Sequence, residues 1–299
     1  MADFDWNDLR AFLAVARTGR LTTAAGKVGM DHSTVGRRIA ALEAGLGARL
    51  FDRSPQGYAL TAHGERLMPT AEKMESLSIQ AADDLGEADQ ALTGAVRIGA
   101  PEGFGSYVLA PLLGQLADRH PQLQIQLVAI SGVLSLSKRE ADIAVTLSAP
   151  REGRMVARKL TDYGLSLYAA PSYLDARPPI RTRADMADHR FIGYIGDLLY
   201  APELDYMEAP DVDIHVTLQS SNLIAQLQAA IAGAGLCVLP DFIAAREPGL
   251  VRVLPDDVHL VRSLWLVTHA DLKSLARIRV VNDMIVQAVR ADRAMFTGG

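Results

Sequence analysis

Two glycines, Gly19 and Gly29, divide the first fifty residues into three short apolar stripes, and this division constrains the N-terminal fold more than any other feature. Leu9, Phe12, Leu13 and Ala16 recur at helical spacing until Thr18-Gly19 stops the pattern. A short alanine-rich run from Thr22 to Val28 follows, with Thr22 placed to cap it. Gly29-Met30 makes a tight corner, and Asp31 then caps a third helix whose stripe is Val35, Ile39, Leu42 and Leu46. Two short helices meeting at a glycine corner, the second basic, form a helix-turn-helix pattern. Leu50-Phe51 and Ala59-Leu60 flank the turn Arg53-Ser54-Pro55-Gln56-Gly57-Tyr58, which reads as a β-hairpin wing.

Charge is distributed to match. Between Arg10 and Arg53 eight basic residues face only Asp31, Glu43 and Asp52, a local net of +5; the whole chain carries −5, so the remainder carries −10. A small basic module on an acidic body is the asymmetry expected where one end alone touches phosphate. With 49% hydrophobic and 22% charged residues the chain is a folding one, and 299 residues suit about two domains. Cys237 is the single cysteine, so an internal disulfide and a Cys-based zinc cluster are excluded, in keeping with a reducing compartment. The acidic opening Met1-Ala2-Asp3-Phe4-Asp5-Trp6 lacks the basic and apolar regions of a secretory signal. Gln226 and Gln228 interrupt the most apolar long window, Leu223 to Pro240. The expected location is the cytoplasm, without membrane contact.

From Thr61 to about Leu92 the pattern is one long helix. Leu67, Ala71, Met74, Ser78, Ala81, Leu85, Ala88 and Leu92 alternate at spacings of four and three, the heptad seam of a left-handed coiled coil. The competing reading is a helix packed on its own domain. Pro69 introduces a kink or a late start.

Beyond Ala95 short apolar strands alternate with helices. Val96–Ala100, Leu123–Ala129 and Ala141–Thr146 form one series, with a helix from Ser106 to Arg119; Leu165–Ala170, Phe191–Ile195, Ile214–Leu218 and Leu236–Leu239 form a second, with a helix over Ser221–Ala232. Such alternation implies a mostly parallel sheet covered by helices, here split between two small α/β lobes.

Five blocks of the N-terminal part resemble the LysR-type transcriptional regulators in order and spacing. They are Leu9-Arg10-Ala11-Phe12, Thr22-Thr23-Ala24-Ala25, Val35 to Glu43, Leu46 to Arg53, and Leu60-Thr61-Ala62-His63-Gly64. Val96-Arg97-Ile98-Gly99, Ala141 to Val145 and Ala234 to Pro240 resemble, more loosely, that family's effector-binding domain. The resemblance implies a winged helix-turn-helix over residues 1–61, a linker and dimerisation helix over 62–92, and an α/β sensor domain over 93–299. That domain would have two lobes, as in type II periplasmic binding proteins, with lobe 1 at 93–162 and 268–299 and lobe 2 at 163–267. It further implies homodimers, with tetramers through the effector domains, and RNA polymerase as a partner if the chain activates transcription. One departure is Gly36, where the family often has serine before the recognition-helix arginine.

The third helix is the expected reading head, because the N-terminal residues of that helix face base edges in the major groove of operator DNA. These are His32, Ser33, Thr34, Gly36 and Arg37, with Arg38 alongside; Arg37 suits guanine O6 and N7. Each could instead be a solvated surface residue. Thr22, Thr23 and Lys27 on the preceding helix and Arg53 at the wing are placed for phosphates, which fix register without specifying sequence. The effector site is expected where strand ends and helix starts meet between the lobes: Pro101, Glu102, Gly103, Ser131, Thr146, Ser148, Tyr194, Ser220, Ser221 and Asn222. A serine at a helix start is as readily a simple cap. The expected ligand is a small anionic metabolite held by the N-terminus of the helix opening at Ser221, with Glu102 as the counter-argument.

No nucleophile motif, metal-ligand spacing or nucleotide fingerprint occurs, and Gly99, Gly103 and Gly105 miss the dinucleotide spacing. No metal, cofactor or catalysis is therefore expected. The rival reading is a solute-binding or catalytic two-lobed α/β protein with an accessory DNA-binding domain. Apolar neighbours make Cys237 a buried, inert thiol rather than a redox sensor.

Overall fold

A computed structural model describes residues 4–86, 92–132, 136, 140–150, 154–206 and 214–297, and the chain divides into two compact units, Met1–Gln90 and Ala91–Gly299. In the first, α1 (Trp6–Thr18), α2 (Leu21–Val28) and α3 (His32–Leu46) precede a hairpin of β1 (Phe51–Ser54) and β2 (Gly57–Leu60). Asp5 and Asp8 form a reciprocal capping box at the start of α1. The corner between α2 and α3 is turned by Gly29 at φ 68°, a left-handed conformation that glycine adopts without steric cost. Thr22 does not cap α2. The cap position is Arg20, without a side-chain bond, because Leu21 is already helical and packs on the core, so the helix begins before the threonine.

Leu9, Phe12, Leu13, Val35, Ile39, Leu42, Leu50 and Phe51 are buried together, each contributing about 1.5–3 kcal/mol on burial. The long helix α4 (Ala62–Gly86) runs through Pro69 without a break or a late start. Its first turns belong to this core: Ala71 is buried, Leu67 and Met68 pack beside it, and Arg17 of α1 donates to Glu75 at 3.1 and 2.7 Å. The reading of a helix packed on its own domain therefore holds for the first part of the seam. Leu67 and Ala71 face their own domain, whereas Met74, Leu77, Ser78 and Ala81 are exposed. Ala88 lies outside the described residues, as does the side chain of Leu85.

The second unit is built on a nine-stranded sheet in the order β4-β3-β5-β11-β6-β9-β7-β8, with β10 added to β6. Lobe 1 carries the parallel strands β3 (Gly94–Pro101), β4 (Leu123–Ile130) and β5 (Ile143–Thr146). Between β3 and β4 run α5 (Glu102–Phe104), a π-helical turn (Gly105–Leu109) and α6 (Ala110–Arg119), in unbroken succession. The helix thus starts at Glu102, not Ser106. Lobe 2 carries the parallel strands β7 (Arg190–Gly193), β8 (His215–Gln219) and β9 (Leu236–Pro240), with α8 (Leu223–Ile231) leading into β9.

The lobes are not separate sheets. The strand read at Leu165–Ala170 is the end of the fifteen-residue β6 (Met155–Ala169), which pairs antiparallel with β11 (His259–His269) across both lobes. A register shift at Leu264/Trp265 bends this pair. Short helices α7 (Pro171–Asp175) and α9 (Asp241–Ala244), the edge strand β10 (Val251–Val253), α10 (Ala276–Ala291) and α11 (Arg293–Thr297) complete the unit. Among the described residues no helix is long and apolar enough to cross a membrane.

Gly64 tests the packing of α4 on the hairpin, since a Cβ there would stand 2.3 Å from the Leu50 carbonyl oxygen and 2.8 Å from Leu60 Cδ2. Gly64→Ala should cost the N-terminal unit about 1–3 kcal/mol, as overpacking does, read as an earlier unfolding midpoint in guanidinium. An unchanged midpoint would mean that the helix slides without cost.

Candidate DNA-reading face and effector cleft

The start of α3 is an exposed, polar turn organised by one carboxylate. Asp31 accepts from the Ser33 hydroxyl at 2.6 Å, the Thr34 amide at 2.8 Å and the Thr34 hydroxyl at 2.7 Å. These bonds, the Ser33 hydroxyl first, hold the Asp31 carboxyl well below the usual carboxylate range. Thr34 Oγ1 in turn accepts from Arg37 Nη2 at 3.2 Å. His32, Ser33 and Arg37 are exposed on this turn with Thr34 beside them, while Val35 and Ile39 anchor the opposite side. Thr22, Thr23 and Lys27 are exposed on α2. At Gly36 a Cβ would meet only Leu21 Cδ1, at an ordinary 3.7 Å, so packing does not demand glycine there.

Two arginines of the expected set are engaged within the unit. Arg38 turns back to α1, donating to Asp8 at 2.9 Å with Asp5 at 3.6 Å, so it ties α3 to α1. Arg53 pairs with Glu43 at 3.2 Å and lies over the Tyr58 ring at 5.7 Å, though its side chain remains half exposed.

In the second unit the ends of β3 and β4 meet the start of α8. Asn222, not Ser221, caps that helix: its Oδ1 accepts from the Ala225 amide at 2.7 Å. The position in front of α8 is filled by a side chain of this protein. The Glu102 carboxylate accepts from the Ser131 hydroxyl at 2.8 Å, from the Leu223 amide at 3.2 Å and from Asn222 Nδ2. It thereby joins the lobes. Around it Pro101, Gly103, Tyr163, Tyr194, Tyr200 and Tyr206 close the cleft to about 30 Å³, room for a water or two.

Next to this narrow end, sharing Pro101, Leu147 and Tyr200 with it, opens a cavity of about 520 Å³ lined also by Thr146, Ser148 and Glu203. That size holds a small metabolite. Thr146 Oγ1 donates to the Ser148 carbonyl at 2.7 Å and shapes the wall. Ser220 is occupied in the turn before α8, its Oγ accepting from the Asn222 amide at 3.1 Å. Neither Ser220 nor Ser221 lines either space.

Tyr200, Glu203 and Tyr206 were not foreseen. They lie on a loop of short 3-10 turns between β7 and β8, without periodicity to mark them. The available signal was density, since six of the eight tyrosines fall between Tyr163 and Tyr206. Burial, with the nearby Glu102 charge second, pushes the Tyr200 phenol up to about 12; burial likewise raises Tyr194 and Tyr206. Cys237 is fully buried, and burial pushes its thiol up, away from reactivity.

Comparison with known proteins agrees with this division. Residues 6–65 match the bacterial regulatory helix-turn-helix protein family of the lysR type, and residues 89–290 match the LysR substrate binding domain. The HTH-type transcriptional regulator PtxR of Pseudomonas aeruginosa is 31% identical over 256 residues, 83% of this chain and 81% of that one. CrgA of Neisseria meningitidis, an HTH-type transcriptional regulator, is 24% identical over 94% of this chain and 95% of its own. Among solved structures, ArgP from Mycobacterium tuberculosis shares the fold at a TM-score of 0.70 and 20% identity, over 96% of this chain and 97% of that one. The chain belongs to the LysR family of bacterial helix-turn-helix transcriptional regulators.

Proposed function

We propose that this regulator reads its operator through the first turns of α3 and alters its grip when a small molecule enters the cleft between the lobes. The observation that carries the DNA half is the exposed polar turn His32-Ser33-Thr34 with Arg37 one turn on, backed by a buried Val35–Ile39 stripe. Arg37 keeps most of its N–H groups available for a guanine edge, while Thr22, Thr23, Lys27 and Arg53 contact phosphates. Arg38 has a different part: it holds α3 on α1 through Asp8. Gly36 leaves the helix backbone open to close approach by DNA.

The exposed Met74, Leu77, Ser78 and Ala81 of α4 pair two chains, so that a symmetric dimer meets a pseudo-palindromic site. The effector half rests on the 520 Å³ cavity beside Glu102. The protein works in the cytoplasm by binding, not by turnover. A Ser–His–Asp grouping does occur: Ser166 Oγ is 3.4 Å, and Asp241 Oδ2 is 4.0 Å, from the same nitrogen, His259 Nδ1. Sharing one nitrogen, they cannot relay a proton from serine to aspartate through the ring.

Genome-wide mapping of bound DNA, followed by gel shifts on the sites found, tests the reading. Arg37→Ala should weaken specific binding by about 1–3 kcal/mol and relax preference at one base position. Gly36→Ser should keep the folded unit intact and change operator preference. Arg38→Ala should lower the melting temperature of the N-terminal unit, at a preference unchanged among operators. Specific binding that is indifferent to Arg37 would move the reading head elsewhere.

A second prediction concerns assembly. Leu77→Glu combined with Ala81→Glu should give monomers by light scattering and lose the tight operator complex. Dimers that survive this pair of charges would remove α4 as the pairing surface.

A further inference from the structure

Among the described residues, the charged side chains lining the cleft and its neighbouring cavity are two carboxylates, Glu102 and Glu203, with no arginine, lysine or histidine. Among the described residues Glu102 is held by neutral donors, the Ser131 hydroxyl, the Asn222 amide and the Leu223 N–H. No described cation lies within 4.0 Å of it. Glu203 lines the larger cavity, and its Oε2 is buried with no hydrogen-bond partner among the described residues, an acceptor short of a donor. Tyr200 lines both spaces. Tyrosine faces are negative in quadrupole and attract ammonium and guanidinium groups.

An external anion at the start of α8 would have to displace Glu102. The positive end of α8 already faces the Glu102 carboxylate, so the helix N-terminus expected to receive an anionic metabolite is satisfied from within. A carboxylate ligand in the adjoining cavity would meet the like charge of Glu203 in its wall. We therefore propose that the effector carries a positive charge, an ammonium or guanidinium group, brought against Tyr200 and received by Glu203 and Glu102. This rests on the cleft reading given above. The cavity of about 520 Å³ holds the remainder of a small metabolite, against Leu136, Leu147 and Val267.

The test uses the full chain in thermal-shift and calorimetric titrations at matched ionic strength. The probes are amines and guanidines (putrescine, choline, agmatine, arginine), neutral sugars, and carboxylates (acetate, succinate, benzoate). At least one amine or guanidine should bind saturably to the wild type, and the carboxylates should not. Glu203→Gln and Glu102→Gln should each weaken that cation at least tenfold; should Glu102→Gln fail to fold, Glu203→Gln decides. In Glu102→Ala the freed donors should accept acetate, seen as an acetate-dependent rise in Tm absent from the wild type. A carboxylate that binds the wild type and is lost in Tyr200→Ala would overturn the charge while leaving the cleft as the effector site. A cation unaffected by Tyr200→Ala and Glu203→Gln would overturn the cleft reading as well. A panel in which no amine or guanidine binds would likewise overturn the proposal.

Discussion

The pairing of β6 with β11 is the constraint on which the sensor unit depends. These two antiparallel strands run side by side from His259↔Ser166 to His269↔Met155, and every other strand of the sheet is attached to them directly or through one or two intervening strands. Lobe 1 hangs on β11 through β5, and lobe 2 hangs on β6 through β9. The narrow end of the cleft lies against the bent part of the pair, with Leu264 and Tyr163 in its wall. Relative motion of the lobes must therefore be absorbed as twist in two hydrogen-bonded strands. A ligand changes that twist only by the difference in its affinity for the two arrangements. Glu102, bonded to Ser131 on one side and Asn222 on the other, is placed where such a difference would arise.

Acidic residues do comparable structural work in the DNA-reading unit. Counting charges from Arg10 to Arg53 gives a strongly basic segment, yet Arg17 is held by Glu75, Arg38 by Asp8 and Arg53 by Glu43. The basic count thus overstates what is free to meet phosphate. Arg37 differs in having a hydroxyl rather than a carboxylate as its partner, so its charge is not spent inside the unit.

Legibility followed periodicity. The stripe Val35, Ile39, Leu42, the Asp31 cap and the Gly29 corner were readable because each depends on residues within a few positions of one another. Seven strands of the sensor unit were placed for the same reason. What escaped was long-range or aperiodic. β11 was missed because the adjacent polar pair Arg262-Ser263 interrupts its apolar run, and it is half-buried over its first half. Thr22 looked like a cap because the pull of Leu21 toward the core is a tertiary effect. In the cleft, Glu102 was singled out but its partners 29 and 120 positions away could not be seen, nor could the loop carrying Tyr200 and Glu203.

The π turn at Gly105–Leu109 gives Glu102 its bearing. A π turn is an α-helix holding one residue too many, kept here where Gly105 lies so close to the sheet that a Cβ would stand 2.6 Å from that of Ala129. Rewound as plain α-helix by the loss of one residue, everything before it would rotate by about 100° around the axis. Glu102 would then look away from α8, and the first turn of that helix would lose its resident carboxylate. The carboxylate at the start of α8 is thus written as an extra step in a helix's winding, a single insertion by which the fold supplies its own anion there.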